Sequence, residues 1–230
     1  MKKPWIMTQE WHNLLFLHWP IPPDLLLPHI PQELELDLYD GQAWVGVVLF
    51  KAKRTRPRLL PPVPGAGTYL ELNVRTYVKL NGKSGVFFFS LDADSPLAVK
   101  TATTGDFLPY RHARMAIEEH RGTWRFQSKR IHEHSFSEIL DLSFRVISPP
   151  IVKNELEGWL TERYCLWTKP KNRLFRVDIE HDPWQLEYVK GTVYRNTMAS
   201  FLPVDFPQEL AITHYSEWQK VRFFPPVQEQ

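Results

Sequence analysis

The fold of this chain is organised around one stretch, TYLELNVRTYVKLNGKSGVFFFSLDADSPLAVKTATTGDFLPYRHAR, which is residues 68–114. At its centre Asn81-Gly82 separates two runs of strand character. Two-residue β-hairpin turns need positive φ at both central residues, and Asn-Gly is the dipeptide that tolerates this best. We therefore predict a β-hairpin with Asn81 and Gly82 in its turn.

The position of this turn sets which residues of the two strands face each other. With Asn81 and Gly82 as the loop, paired residue numbers add up to 163, and directly opposed side chains point to the same side of the sheet. The even-numbered side of the first strand is then apolar and is predicted to face the core. Its members are Leu70, Leu72, Val74, Thr76 and Val78, opposite Ala93, Leu91, Phe89, Phe87 and Gly85.

The odd-numbered positions form a mixed face. The same register pairs Glu71 with Asp92, Asn73 with Ser90, Arg75 with Phe88, and Tyr77 with Val86. One interpretation is the ordinary solvated side of an antiparallel sheet. The other is the wall of a cavity, which the bulk of the apolar side chains on this face favours. A register slip of one residue would undo the assignment.

Length and composition bound the number of domains and the class of partner. With 230 residues, 43% of them hydrophobic, the chain can bury a sizeable core, and we predict one domain over residues 1–230. The net charge of +2 gives no electrostatic argument for nucleic acid or for an anionic membrane, so neither is predicted as a partner. The sequence leaves the oligomeric state open, a homo-oligomer included.

Cysteine usage and the apolar runs indicate the compartment. Cys165 is the only cysteine, which excludes an intramolecular disulfide and a multi-cysteine metal site and agrees with a reducing compartment. Polar residues from Gln9 to Asn13 interrupt the apolar run that a signal peptide needs. Every apolar run is far shorter than the roughly 20 residues of a membrane-spanning helix. We predict a cytoplasmic protein.

The rest of the chain predicts many strands and a few short helices. We predict a buried strand at residues 14–19 and a second hairpin with Asp40-Gly41 in its turn. Residues 51–67 are predicted to form a proline-rich loop. Short helices are predicted after caps at Asp94 or Ser95 and at Asn154. The fold class is therefore mainly β, and we predict a closed or nearly closed antiparallel β-barrel with a few short helices. A barrel of this size can hold a ligand cavity.

Several side chains are candidates for a catalytic or metal-binding role. Glu71 and Asp92, if opposed and buried, would raise each other's proton affinity, as acid/base catalysis requires. The spacing His132-Glu133-His134 lacks a third ligand nearby, so no metal site is predicted. Cys165, His18 and His181 are interpreted as packed residues, and Lys100 as a surface lysine with Schiff-base chemistry as the alternative. No cofactor is predicted.

Motifs along nearly the whole chain resemble a known family. FLHWPIPP, LDLYDGQAWVGVVLF, ELNVRTYV, GVFFFSLDAD, FLPYRHARM and HDPWQL together resemble the YqjF-like family of uncharacterised bacterial proteins. That family is similar to acetoacetate decarboxylase, which implies a β-barrel with a central cavity, a Schiff-base lysine beside a second lysine, and a strand glutamate. By this resemblance Glu71 matches the pocket glutamate.

The segment TTGDFLPYRHA departs from the decarboxylase pattern. The decarboxylase has Gly-Arg-Glu followed by a segment that ends in Pro-Lys-Lys, and by this resemblance the corresponding residues here are Ala102-Thr103-Thr104 and Pro109-Tyr110-Arg111. Tyr110 thus replaces the nucleophilic lysine. A phenol cannot form an imine with a keto acid, and neither can an arginine that stays protonated. The resemblance therefore implies the pocket without Schiff-base decarboxylase activity.

These observations lead to three functional hypotheses. The first is a protein that binds a small organic ligand, such as a carboxylate, in the barrel cavity. The second is an enzyme that uses the same pocket, with Glu71 or Asp92 as acid/base and Tyr110 as proton donor; no catalytic residue is assigned. The third is an interaction protein without a working cavity. The predicted ligand-binding residues are Glu71, Asn73, Arg75, Asp92, Tyr110 and Arg111.

Overall fold

The structure is a computed structural model that describes residues 4–61, 67–103, 107–131, 137–204, 206 and 212–229. The chain is mostly β, with short helices between the strands. The strands are β1 Met7–Ile21, β2 Glu35–Leu36, β3 Ala43–Pro57, β4 Thr68–Leu80, β5 Lys83–Ala93, β6 Tyr110–His120, β7 Thr123–Arg130, β8 Ile139–Val146, β9 Cys165–Thr168, β10 Phe175–Glu180, β11 Glu187–Asn196, β12 Ile212–Phe223 and β13 Val227–Gln228. The α-helices are α1 Pro23–Leu26, α2 Pro96–Ala102 and α3 Glu155–Thr161.

The hairpin predicted at Asn81-Gly82 is confirmed. β4 and β5 are joined by these two residues, whose φ angles of 50° and 76° are the positive values that the turn requires. From Leu80↔Lys83 to Arg75↔Phe88 the pairs follow the predicted register. The local turn chemistry therefore fixes the outer half of the hairpin.

The inner half of the hairpin departs from the predicted register by one residue. Val74 pairs with Ser90, which leaves Phe89 as an extra residue on β5, and Glu71 pairs with Ala93. The predicted opposition of Glu71 and Asp92 is therefore wrong, since Asp92 pairs with Leu72. A bulge of this kind shifts every later side chain of its strand relative to the partner strand.

The strand pairings form a ring. Following them through β1, β3, β4, β5, β9, β10 and β12 leads back to β1. A second run, β6, β7, β8 and β11, connects β5 to β12. Most pairs are antiparallel as predicted. The exceptions are the parallel pairs of β5 with β6 and with β9, which the predicted antiparallel barrel does not include.

Two other predicted elements are different in the structure. Asp40 and Gly41 do form a tight turn with positive φ, but β2 pairs with β4 and only a single bridge, Tyr39↔Gln42, closes the turn itself. The first seven residues of the predicted loop at 51–67 continue β3 as far as Pro57. Strand pairing with β1 and β4 keeps this basic segment in the sheet, although its low apolar content predicts a loop.

The predicted helix caps agree with the structure. The Ser95 Oγ accepts a hydrogen bond from the backbone N–H of Ala98 at the start of α2. Asn154 and Glu157 form a reciprocal capping box at the start of α3. Among the helices of the described chain, none is long and apolar enough to cross a membrane.

The two faces of β4 have different surroundings. Leu72, Val74 and Val78 belong to the main apolar core, as predicted for the even-numbered face. The odd-numbered face looks into a second region, where Tyr69 packs with apolar side chains of β1, β3, α2 and β6. The candidate site lies on this second face.

Candidate ligand cavity

A cavity of about 570 Å³ lies against the odd-numbered face of β4. Tyr69, Glu71, Asn73 and Arg75 line it in alternation, because successive strand residues point to opposite sides. Most of the remaining wall is apolar, and its large aromatic members include Trp11, Phe16, Phe50, Phe88 and Trp184. The face that the sequence left open between solvent and cavity is therefore a cavity wall.

Glu71 lies at the middle of the wall and is held by Tyr110. The Tyr110 hydroxyl donates a hydrogen bond of 2.8 Å to Glu71 Oε2, and both side chains are buried. Tyr69 is the next wall residue on β4, and its hydroxyl accepts a hydrogen bond of 2.9 Å from the Gln9 amide. Gln9 also donates to the Thr55 hydroxyl. The network fixes the Glu71 carboxyl at one place in an otherwise apolar surrounding.

Burial changes the protonation of this network. Loss of solvent raises the pKa of Glu71 to about 7, against the lowering effect of the Tyr110 hydroxyl and the Asn73 amide. The pKa of Tyr110 is raised well above its ordinary value, chiefly by burial and then by the adjacent Glu71. Near neutral pH the site therefore contains a carboxyl group that takes up and releases a proton, beside a phenol that stays protonated.

Arg75 is one of two arginines that line the cavity among the described residues. Its Nε and Nη2 atoms are buried, and within the described chain neither has a hydrogen-bond partner. The guanidinium lies 5.9 Å from the ring centre of Phe16 and 5.8 Å from that of Tyr77. Gly46, opposite Arg75 on β3, leaves room for it, since a Cβ there would lie 3.3 Å from Arg75 Cγ.

A second guanidinium, that of Arg163, lies at the same end of the cavity. Arg163 Nη1 donates to Asp37 Oδ2 at 2.5 Å and its Nε donates to the Trp159 carbonyl at 2.7 Å. Its guanidinium also stacks 4.9 Å from the ring centre of Tyr77. Asp37 thus offsets the charge of Arg163, while the charge of Arg75 is left without a carboxylate within 4.0 Å among the described residues.

The histidines near Arg75 are neutral. Burial, and then the positive charge of Arg75, lowers the pKa of His18 well below its ordinary value. His181 lines the cavity, and its pKa is lowered mainly by burial, with Arg75 among the smaller causes. Both were predicted to be packed residues, and both are buried. Among the described residues, the charge of Arg75 at this end of the cavity therefore has no paired carboxylate, whereas that of Arg163 is paired with Asp37.

Two predicted site residues lie elsewhere. Asp92 is on the core side of the sheet, where Arg130 Nε donates to Oδ1 at 3.0 Å and to Oδ2 at 3.1 Å. Arg111 is half-buried and donates from Nη1 to the Tyr110 carbonyl at 3.0 Å. Neither residue lines the cavity, which corrects their assignment to the pocket wall. The bulge at Phe89 accounts for Asp92, since it reverses the face on which this carboxylate lies.

The other reactive side chains considered from the sequence are Lys100, Cys165 and the His132-Glu133-His134 segment. Lys100 is exposed on α2, and among the described residues that line the cavity none is a lysine. Cys165 does line the cavity, but burial raises the pKa of its thiol to about 12. In the described chain no group of three or more potential metal ligands lies together. The His132-Glu133-His134 segment lies outside the described residues.

Sequence reasoning missed several wall residues. Tyr69 could have been found, because it lies two positions before Glu71 and alternation puts it on the same face. Gln9, Trp11 and Arg163 come from strands or loops far away in the chain. No local pattern in the sequence brings them to β4, since their positions depend on the closing of the sheet.

The family of the chain follows from a comparison with known sequences. A family model, DUF2071, described as "Uncharacterized conserved protein", matches residues 8–220. The chain belongs to this family. It is also 41% identical over 223 residues to the "Uncharacterized protein YqjF" of Bacillus subtilis (strain 168), covering 96% of this chain and 91% of that protein. The resemblance stated from the sequence motifs is thereby confirmed.

Solved structures show the same fold at low sequence identity. An acetoacetate decarboxylase-like enzyme from Sphingomonas wittichii RW1 matches with a TM-score of 0.67 and 11% identity, covering 99% of this chain and 94% of that one. Acetoacetate decarboxylase from Legionella pneumophila matches at 0.65 and 15%, covering 100% and 90%. The enduracididine biosynthesis enzyme MppR, complexed with pyruvate, matches at 0.65 and 12%, covering 99% and 91%. The fold is therefore decarboxylase-like.

Proposed function

We propose that this protein binds a small, partly apolar organic acid in the cavity, with the carboxylate of the ligand held by Arg75. The observation that carries the proposal is the pair of buried guanidinium atoms, Nε and Nη2, without a partner in the described chain. These two atoms lie on one edge of the guanidinium, which is the arrangement that binds a carboxylate through two parallel hydrogen bonds. A carboxylate there would satisfy both donors.

The charge balance supports the same conclusion. An isolated buried cation is costly, and proteins normally pair it with an anion. Aromatic rings of Phe16 and Tyr77 supply some attraction to Arg75, but no described carboxylate lies within 4.0 Å. Glu71 lies four residues away on β4, which is about 13 Å along a strand. A bound anion therefore fits the local potential better than an uncharged ligand.

The shape and lining of the site support an apolar body for the ligand. A volume of about 570 Å³ falls within the range of small-molecule sites, and the aromatic wall matches their usual composition. As part of the proposal, the ring of strand pairings closes as a barrel around this cavity. Closure would remove the sheet edges and shield the ligand from water.

The proposal does not include Schiff-base decarboxylation. Tyr110 occupies the place that the decarboxylase resemblance gives to the nucleophilic lysine, and its hydroxyl donates to Glu71. A protonated phenol offers a hydrogen bond but no amine for an imine. Binding of an acid without imine formation is therefore the function that these residues support best.

A second candidate is an enzyme that uses Glu71 for acid/base chemistry. The observation that favours it is the pKa of Glu71, raised to about 7, because a general acid/base works best when its pKa is near the working pH. Tyr110 would assist as a donor to a developing oxyanion. Asp92 has no part in this candidate, since it lies across the sheet with Arg130.

The binding proposal is tested with a panel of carboxylic acids and their uncharged amides, by calorimetry and thermal unfolding. We expect the acids to bind and to raise the Tm. Arg75→Met should weaken their binding by about 10-fold to 100-fold, as expected for the loss of a charged hydrogen-bond pair. Arg111→Met is the matched control and should bind like the wild type. Equal binding to wild type and Arg75→Met would contradict the proposal.

The enzymatic candidate needs a separate measurement. The protein is incubated with 2-keto acids, 3-keto acids and carboxylic esters, with pyruvate included because it is the ligand named for MppR. Turnover that is lost in Glu71→Gln would support acid/base catalysis. Binding of acids without turnover by the wild type would support the binding function alone.

A further inference from the structure

One wall residue next to Arg75 has an unused hydrogen-bond acceptor. Asn73 is only 4% exposed, and within the described chain its Oδ1 has no hydrogen-bond partner. Asn73 and Arg75 are two residues apart on β4 and both line the cavity, so their Cα atoms are about 7 Å apart. An unpaired acceptor two residues from an unpaired guanidinium on the same wall favours a ligand that has a donor group near its carboxylate, because unpaired buried polar atoms are costly.

The cavity is also longer than a small keto acid requires. From Tyr69 to Arg75 the wall of β4 covers six residue steps, which is about 20 Å. A volume of about 570 Å³ along this wall has room for an unbranched hydrocarbon chain. Such a chain would extend away from Arg75 past Phe50, Trp11 and Trp184.

The two ends of this passage differ in exposure and polarity. Around Arg75 the neighbouring wall residues Phe16 and Arg163 are buried. At the other end the wall is formed by Ile6, Met7, Pro57 and Phe223, among which Ile6 is 44% exposed. Arg75 is half-buried, with its unpaired Nε and Nη2 atoms buried, whereas the far end is apolar and exposed at Ile6. A ligand with a polar head and an apolar tail would enter head first.

We propose that the ligand is an amphiphilic acid with three parts: a carboxylate at Arg75, a hydroxyl or amide N–H next to it at Asn73 Oδ1, and an unbranched apolar tail toward Ile6. Long-chain 2-hydroxy acids and N-acyl amino acids share this chemistry. The inference rests on the proposed binding of an acid at Arg75. It adds the donor group, the tail and the direction of binding.

The test uses probes that differ in one part at a time. N-dodecanoylglycine has all three parts, N-dodecanoylsarcosine lacks the N–H, and N-acetylglycine lacks the tail. 2-Hydroxydodecanoate and dodecanoate form a second pair that differs only in the donor. Affinities are measured by calorimetry, below the concentrations at which these probes form micelles, for the wild type, Arg75→Met and Asn73→Leu.

We expect N-dodecanoylglycine to bind about threefold to tenfold more tightly than the sarcosine analogue, which is the usual effect of one hydrogen bond. Asn73→Leu keeps the side-chain size and should remove this difference while tail binding persists. The dodecanoyl probe should bind more than about 100-fold more tightly than the acetyl probe, since each buried methylene adds up to about fourfold.

The outcomes separate this inference from the proposed function. Binding that depends on Arg75 but not on the N–H or the tail would overturn the inference and leave the binding of an acid intact. If Arg75→Met bound every probe as tightly as the wild type does, both the inference and the proposed function would be overturned. Loss of the N–H preference in Asn73→Leu alone, with Arg75 still required, supports both.

Discussion

Glu71 and Asp92 are two buried carboxyl groups on neighbouring strands, and they have opposite surroundings. Glu71 faces the cavity, where its polar neighbours are the neutral Tyr110 hydroxyl, which donates a hydrogen bond to it, and the Asn73 amide. Asp92 faces the core, where Arg130 and Ser90 complete a closed polar cluster through Arg130 Nε and Nη2. Burial is the first cause of a raised pKa in both, to about 7 for Glu71 and about 6 for Asp92.

Both carboxyl groups are buried, but only Asp92 is paired with an arginine. The Arg130 guanidinium pulls the pKa of Asp92 down against burial, and the ion pair serves the packing of β5 on β7. Within the described chain Glu71 has no such cation, and its carboxyl faces the cavity. Of the two groups, only Glu71 lines the cavity, and mutation can distinguish the cavity-facing carboxyl from the core-facing one.

The largest effect is expected at Asp92. Asp92→Ala removes the main partner of the buried Arg130, and a buried charge left in this way costs about 3 to 5 kcal/mol of the free energy of unfolding. Glu138 Oε1, 3.9 Å from Arg130 Nη1, reduces the loss toward the lower figure. Urea unfolding at pH 7 measures the change.

The double variant Asp92→Leu/Arg130→Met is the control for that prediction. It removes both charges and should recover most of the lost stability, as apolar replacements of buried pairs often do. Ligand affinity in the folded double variant should equal that of the wild type, because neither residue lines the cavity. A loss of acid binding in this variant would place Asp92 in the site after all.

A smaller effect of opposite sign is expected at Glu71. Its pKa is raised from the ordinary 4.5 to about 7 in the folded state, so between these pH values only the unfolded chain ionises and the folded state loses stability as pH rises. Glu71→Gln removes this penalty. We expect the variant to gain up to about 3 kcal/mol over the wild type at pH 8 and little at pH 4.5.

Glu118→Gln is the matched control for this pH dependence. Glu118 is exposed on β6, so its replacement should change stability equally at both pH values. Denaturant unfolding of wild type and both variants at pH 4.5, 6 and 8 gives the comparison. A gain for Glu71→Gln that does not grow with pH would mean that Glu71 ionises in the folded state as it does in the unfolded chain.

The hairpin shows how far local sequence determines this fold. Asn81 and Gly82 fix their own turn, and alternation along β4 places Glu71, Asn73 and Arg75 on one face. The one-residue bulge after Phe88 could not be predicted, because it depends on the twist that β5 adopts between its partner strands. Because of that single residue Glu71 lines the cavity, whereas Asp92 faces the core.

The far side of the cavity shows the limit of such reasoning. Tyr110 was identified through the family resemblance, and the structure brings its hydroxyl to Glu71. Arg163 and Trp184 come from the last third of the chain, and their approach to Arg75 and Phe16 depends on which strands close the ring. Non-local pairing carries no local sequence signal, so a wall assembled from distant strands needs the structure.

The smallest effect is expected at the hydrogen bond that links Tyr110 to Glu71. Tyr110→Phe removes only the hydroxyl, which donates to Glu71 and lowers its pKa. At pH 5, where Glu71 is neutral, the variant should lose about 1 kcal/mol, and at pH 8.5 about 2 kcal/mol, because a hydrogen bond to a charged acceptor is stronger. Denaturant unfolding at the two pH values measures both losses.

A Glu71→Gln background is the control for this prediction. In that background the Tyr110→Phe loss should be about 1 kcal/mol at both pH values, since glutamine accepts the same bond without titrating. If the loss stayed pH-dependent in that background, the titrating group would be another residue and not Glu71.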